Sequence, residues 1–169
     1  SGDAIKAIVA VMSVSINNVL SLMCESNASF SEAVRRTKEV GLFEKDCFED
    51  LEGVEAAQKL LVMCRELGIP LSLENIQVEQ IAKRRSIQDL ATVDKTSEFA
   101  DEDAYFAKRV KEASAKKCTL RYVQRLELDP PAELGFDRDI SDCKAYTRLE
   151  EVPYGAPHAV TGPIYHFSF

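Results

Sequence analysis

The stretch GLFEKDCFEDLEGVEAAQKLL, residues 41–61, places six carboxylates in front of Lys59. In its second half and in the residues that follow it, apolar residues recur at helical spacing. This pattern predicts a helix with one buried stripe: Ala57, Leu60, Leu61, Cys64 and Leu67. We expect Asp50 to cap this helix and Gly68 to terminate it, because these residue types favour those positions. The stretch therefore predicts an acidic loop that leads into an amphipathic helix carrying Lys59.

The rest of the chain alternates between strand and helix patterns. Strands are predicted at 5–12, within 72–80, at 119–128 and in the C-terminal IYHFSF, and helices at 16–25, 29–41 and 101–117. Residues 86–101 are polar and poorly periodic, which predicts a loop, and the proline-rich C-terminal third predicts loops and short strands. These elements predict an α+β fold in a single domain over 1–169, a mixed β-sheet with helices packed on one face.

Composition limits the classes of function. The 169 residues carry a net charge of −7, so the chain lacks the basic footprint of a protein that binds nucleic acid or an anionic membrane. Five cysteines without a C-x-x-C pair and only 2 histidines argue against a zinc site and favour free thiols in a reducing compartment. The chain starts and stops within apolar strand patterns, so we expect a piece of a longer protein.

The acids and the lysine allow more than one interpretation. Glu55 and Lys59 are four residues apart and would share a helix face, where an exposed ion pair contributes only about 0.3–0.5 kcal/mol. Acidic residues before a helix also suit its dipole without any further role. Metal binding by Glu44, Asp46 and Asp50 is the weakest alternative, because their spacing is not that of an EF-hand loop.

The opening stretch resembles the homoserine dehydrogenase motif G-Y-T-E-P-D-P-R-D-D-L-x-G-x-D-V-A-R-K. The matching positions are Gly41, Glu44, Asp46, Asp50, Leu51, Gly53, Ala57 and Lys59. GDAIKAIVAVMSVSINNVLS is similar to the family's strand-to-helix segment G-D-x-I-x-x-I-x-G-I-x-S-G-T-L-S-Y-I-F, and FSEAVRRTKEVG and TLRYVQRLEL are similar to its next helix and a later strand. The resemblance covers nearly the whole chain in order.

The resemblance implies NAD(P)-dependent interconversion of L-homoserine and L-aspartate 4-semialdehyde in threonine and methionine biosynthesis, in the cytoplasm or a plastid. It implies that Lys59 is the general acid/base with Glu55 beside it, and that Glu44, Asp50 and Ser15 bind the amino-acid substrate. It also implies a homodimer formed through the sheet and a neighbouring or fused aspartate kinase. NAD(P) would be bound mainly by a nucleotide-binding domain absent from these residues, which contain no G-x-G-x-x-G turn.

The departures from the family pattern leave a second hypothesis open. Glu55 replaces the family's aspartate, Leu42 its tyrosine and Val14 the glycine of its S-G-T segment. A non-catalytic relative that serves assembly or regulates a fused partner would tolerate these changes. If the site is active, we expect Lys59 to be at least half buried and to share a cleft with Glu44 and Asp50. On one continuous helix Asp50 would lie about 13 Å along the axis from Lys59.

Overall fold

The computed structural model describes residues 4–43, 46–83, 99–132 and 140–168, and these ranges form a mixed five-stranded sheet with helices. The strands are β1 (Ile5–Val11), β2 (Ile76–Val78), β3 (Cys118–Ala132), β4 (Cys143–Pro153) and β5 (His166–Ser168), in the order β2-β4-β3-β1-β5. The pairing of β2 with β4 is parallel, whereas β4 with β3, β3 with β1 and β1 with β5 are antiparallel. The predicted α+β class with a mixed sheet is confirmed.

Five helices are described, and their boundaries follow local signals. They are α1 (Val14–Ser26), α2 (Phe30–Glu39), α3 (Cys47–Leu51), α4 (Val54–Glu66) and α5 (Ala100–Ala115), with short 3₁₀ turns at Leu73–Asn75 and Ile140–Asp142. The side chains of Ser13, Ser29 and Asp46 cap α1, α2 and α3 by accepting hydrogen bonds from backbone N–H groups. The cap at Ser29 can be predicted from the sequence, because Glu32 three residues later completes the S-x-x-E pattern of a capping box.

The helices pack on one face of the sheet. Alternate strand residues point to this face, and they meet the buried faces of the helices in two neighbouring apolar clusters. The strand residues that contribute are Ile8, Ala10, Ile76, Leu120, Tyr122, Leu126, Leu128, Ala145 and Leu149. This packing fixes α1 and α4 against the central strands, and so fixes the side chains that these helices carry.

The opposite face of the sheet is polar and charged. On β3 and β4, Arg125 pairs with Glu150 at 2.9 Å, and the Arg148 guanidinium lies 4.2 Å from the centroid of the Tyr146 ring. The segment that follows β4 crosses this face, where Arg121 Nε donates to the Val160 carbonyl at 2.5 Å. Ion pairs and a crossing segment therefore occupy this face, which is not a broad apolar patch.

Two local predictions were wrong. Asp50 does not cap a helix that runs from 50 to 67, because Gly53 adopts φ +76° and separates α3 from α4. The C-terminal third is not only loops and short strands, because β4 is an 11-residue strand. Of the loop expected at 86–101, most lies outside the described residues, and α5 already begins at Ala100.

Candidate functional site

The site is centred on the ammonium group of Lys59, which projects from the middle of α4. Its Nζ lies 2.5 Å from Glu55 Oε1, one helical turn earlier, and donates to the carbonyl of Met12 at 3.4 Å. The same nitrogen lies 5.6 Å from the centroid of the Tyr165 ring. Because the Lys59 side chain is only 39% exposed, it is more than half buried, as the active-site hypothesis expects. Three separate parts of the chain therefore surround this charge.

Asp50 completes the cluster from the short helix α3. It is buried, with 8% exposure, and hydrogen-bonds to Glu55 and to Ser15 at the start of α1. The pKa of Asp50 is raised to about 7, first by burial and then by the hydrogen bond and negative charge of Glu55, against the opposing effects of Ser15 and Lys59. The hydrogen bond from Asp50 lowers the pKa of Glu55, with Lys59 adding to the effect. Below about pH 7 the proton of this carboxyl pair therefore resides on Asp50, which donates to the Glu55 carboxylate.

The electrostatics keep Lys59 protonated. Burial acts to lower the pKa of Lys59, but the hydrogen bond and charge of Glu55 together outweigh it and raise that pKa. Below about pH 7 the cluster therefore holds an ammonium, a carboxylate and a protonated acid. At neutral pH Lys59 is present in the form that can donate a proton.

The turn at Gly53 explains why these groups meet. On one continuous helix Asp50 would lie about 13 Å along the axis from Lys59. The left-handed turn at Gly53 separates α3 from α4, and Asp50 hydrogen-bonds to Glu55 and interacts electrostatically with Lys59. The assumption of one continuous helix was therefore wrong, and the reason is a helix break inside the acidic stretch.

A cleft of about 570 Å³ opens beside Lys59. Its lining consists of Met12, Glu55, Gln58, Lys59, Val62, Met63, Tyr165 and Phe167. Asp50 is not among these residues and reaches the cleft through Glu55, so the expectation that Asp50 itself would line it was wrong. Glu44, the other predicted partner, lies outside the described residues.

Sequence reasoning missed Met12, Tyr165 and Phe167. Tyr165 and Phe167 are two residues apart in IYHFSF, so they point to the same side of the last strand. That alternation of aromatic residues was a usable signal for a shared face. It did not reveal which part of the chain the face would meet, because this depends on the pairing of β5 with β1.

The described residues show neither a metal centre nor a membrane span. Within these ranges no group of three or more His, Cys, Asp or Glu side chains is arranged to hold a metal ion. No helix in the described part of the chain combines the length and the apolar character that a membrane crossing requires.

Comparison with known proteins identifies the family. The homoserine dehydrogenase family model matches residues 1–166. The bifunctional aspartokinase/homoserine dehydrogenase of Buchnera aphidicola is 28% identical over 131 residues, 75% of this chain and 15% of that protein. The homoserine dehydrogenase of Bacillus subtilis is 27% identical over 112 residues, 65% of this chain and 22% of that protein. The chain thus spans less than a quarter of the length of these curated relatives.

Solved structures agree on the fold. A putative homoserine dehydrogenase from Archaeoglobus fulgidus superimposes with a TM-score of 0.70 at 19% identity, over 97% of this chain and 40% of that chain. The Staphylococcus aureus homoserine dehydrogenase gives a TM-score of 0.69 at 16% identity, over 98% of this chain and 36% of that chain. At such identities these structures support the fold alone. With the family model matching from residue 1 to residue 166, the chain belongs to the homoserine dehydrogenase family.

Proposed function

We propose that this chain supplies the substrate-binding and proton-transfer region of an NAD(P)-dependent homoserine dehydrogenase. The reaction would interconvert L-homoserine and L-aspartate 4-semialdehyde in threonine and methionine biosynthesis. The observation that carries the proposal is the convergence of four side chains from three helices: Ser15, Asp50, Glu55 and Lys59. All four were predicted from the sequence. If Glu55 and Lys59 formed only an exposed ion pair on one helix, Ser15 and Asp50 would not need to lie beside them.

Lys59 would donate a proton to the reacting oxygen or accept one from it. In the reductive direction its ammonium would donate a proton to the aldehyde oxygen as a hydride arrives at the carbon, which yields the alcohol and a neutral amine. In the oxidative direction the neutral amine would take the proton from the hydroxyl of homoserine. Because Glu55 raises the pKa of Lys59, the form present at neutral pH is the one that serves reduction.

The carboxyl groups would orient Lys59 and bind the amino-acid substrate. Glu55 would hold and orient the Lys59 ammonium, as their 2.5 Å contact allows. Asp50 and Glu44 would bind the ammonium of the amino acid, with Ser15 donating or accepting a hydrogen bond beside Asp50. An ammonium near Asp50 would lower its pKa and restore the carboxylate that accepts from the substrate.

The nicotinamide cofactor would be held mainly by residues outside this chain. A dinucleotide needs a glycine-rich turn whose backbone N–H groups face the pyrophosphate, and the sequence contains no G-x-G-x-x-G. The cleft beside Lys59 is lined mainly by apolar side chains and carries one cation, so it does not fit the phosphates. The cofactor would supply or accept the hydride, and the side chains described above would hold the substrate and its proton.

The assembly and location of the protein are part of the same proposal. We expect a homodimer through the sheet, in the cytoplasm or a plastid, with an aspartate kinase fused or nearby. The bifunctional names of several relatives support the fused kinase, and the chloroplastic relatives of Zea mays and Arabidopsis thaliana support the plastid.

A second candidate is a non-catalytic relative that serves assembly or regulates a fused partner. One observation favours it: Asp50 points to Glu55 and Ser15 and does not line the cleft where a substrate would bind. The valine at position 14, where the family has glycine, lies directly before Ser15 and is half-buried.

The test is L-homoserine-dependent reduction of NAD⁺ or NADP⁺ by the full natural polypeptide that carries this sequence. We expect Lys59→Ala to lower kcat by about 10²–10⁴-fold, as the loss of a general acid/base does. Lys108→Ala is the matched control, because the Lys108 side chain is 76% exposed on α5, and it should stay within about twofold of the parent. The 169-residue chain alone should show no turnover, because it lacks the phosphate-binding turn. A full polypeptide without homoserine-dependent activity, or one indifferent to Lys59→Ala, would contradict the proposal.

A further inference from the structure

Tyr165 forms one wall around the Lys59 ammonium. The Lys59 Nζ lies 5.6 Å from the centroid of the Tyr165 ring, within the range at which a cation is attracted by an aromatic face. Tyr165 and Phe167 both line the cleft of about 570 Å³ that opens beside Lys59. Although 54% of Tyr165 is exposed, Lys59 Nζ lies over its ring.

The backbone around Tyr165 is held from two sides. On its C-terminal side, β5 pairs with β1 in a register that sets His166 opposite Val11, and Met12 follows Val11 directly. Met12 is the residue whose carbonyl accepts a hydrogen bond from Lys59. The ladder therefore brings Tyr165 and the Met12 carbonyl to the same end of the two strands, on either side of one nitrogen.

The segment before Tyr165 is anchored as well. The carbonyl of Val160 accepts from Arg121 Nε at 2.5 Å, and the carbonyl of Gly162 accepts from Asn17 Nδ2 at 2.7 Å. The Gly162 N–H donates to Ser21 Oγ at 2.9 Å. Arg121 and Asn17 are fully buried, so these are anchors within the fold and not surface contacts. Tyr165 thus stands between two fixed points of the backbone.

We propose that Tyr165 is a positioning residue for the reaction: its ring face covers one side of the Lys59 ammonium and holds Nζ at the cleft. Glu55 and the Met12 carbonyl hold the ammonium on its other sides. A proton donor gains from such confinement, because a misplacement of about 1 Å can cost on the order of 10²-fold in rate. The kinetic consequence rests on the proposed function, whereas the contact itself does not.

The test compares Tyr165→Phe with Tyr165→Leu, since both lack the phenol and only the first keeps an aromatic face. In the ¹³C-labelled 169-residue chain, the ε-methylene protons of Lys59, assigned with Lys59→Arg, should show an upfield ring-current displacement. Tyr165→Phe should keep that displacement and Tyr165→Leu should lose it. The acid dissociation constant of Lys59 should be about two- to fivefold higher in Tyr165→Leu than in Tyr165→Phe. Tyr154→Leu changes another exposed tyrosine of the same segment, at 59% exposure, and should leave both readouts unchanged.

Kinetics on the full polypeptide separate the two proposals. We expect kcat for L-homoserine to fall about two- to fivefold in Tyr165→Leu and to stay within about twofold in Tyr165→Phe. Equal Lys59 spectra and titrations in the two variants would overturn the contact, and turnover that is indifferent to Tyr165→Leu would overturn the positioning role. If the spectra change as expected but no homoserine is turned over, the proposed function fails and the Tyr165–Lys59 contact stands.

Discussion

Replacing Asp50 by asparagine should change how the stability of the protein depends on pH. Asp50 is buried at 8% exposure, and its pKa is raised from 3.8 to about 7, first by burial and then by Glu55. A group whose pKa is higher in the folded protein stabilises the fold fully below its unfolded pKa, and this contribution is lost as the pH rises through the folded pKa. The wild-type chain should therefore lose stability from this group between about pH 4 and pH 7.

The magnitude follows from the two pKa values. Their difference is about 3 units, and each unit corresponds to 1.36 kcal/mol, so the loss approaches about 4 kcal/mol above pH 7. The asparagine amide resembles the protonated acid, because it still donates a hydrogen bond to the Glu55 carboxylate but does not ionise. We expect Asp50→Asn to match the wild type near pH 4 and to exceed its free energy of unfolding by a few kcal/mol at pH 8.

Urea unfolding followed by circular dichroism, at steps between pH 4 and pH 9, measures this difference. Comparing the variant with the wild type at each pH cancels the titration of groups that do not interact with Asp50. Glu55, whose lowered pKa contributes with the opposite sign, keeps a hydrogen-bond donor in the asparagine variant. Asp101→Asn, which removes an exposed carboxylate from the first turn of α5, is the control and should stay within about 1 kcal/mol throughout. A difference between Asp50→Asn and wild type that is flat across this pH range would refute the reasoning.

Two further predictions concern the helix break and the assembly. Gly53→Ala should cost roughly 2–5 kcal/mol in urea unfolding, because Gly53 has φ +76° and an added Cβ would stand 2.0 Å from Tyr122 Oη. Gly41→Ala, at φ +73° with nothing within 4 Å of the added Cβ, carries only the backbone strain and should cost roughly 1–2 kcal/mol; equal losses for the two would contradict this. Light scattering should show a symmetric dimer at micromolar concentration, and a mass of 18.8 kDa, that of one chain, would count against a dimer.

The parts of the fold that the sequence predicts are those with local causes. The cap at Ser29, the apolar strand β1 and the alternating strand β3 each depend on residues within one element. Strand β4 was missed although CKAYTRLEEVP alternates, because the face it turns away from the core carries charges and the prolines nearby suggested loops. The alternation of residues indicated a strand, but the charges and prolines around it favoured a loop.

The residues of the candidate site likewise include some that local patterns predict and some that they do not. Lys59 and Glu55 were predictable because four residues on a helix always share a face. The position of Asp50 was not, because a single glycine inside an otherwise helical pattern is often tolerated, whereas Gly53 here turns the chain. Tyr165 depends on which strands pair at the edge of the sheet, and local patterns do not specify that.

The orientation of Asp50 also bears on the choice between an active and a non-catalytic domain. Below about pH 7, where Asp50 is protonated, Glu55 charged and Lys59 protonated, the cluster carries no net charge, and the Asp50 carboxyl is hydrogen-bonded to Glu55. A cationic ammonium brought within about 4–6 Å favours the charged form of a carboxyl group, so it would draw the proton off Asp50. The inward hydrogen bond would then be lost, and the carboxylate would be free to accept from the ligand. Glu55 already has Lys59 as a partner, so it would stay paired throughout. The inward position of Asp50 is therefore the arrangement that an amino-acid site would adopt without its ligand, and it weighs less against catalysis than its distance from the cleft suggests.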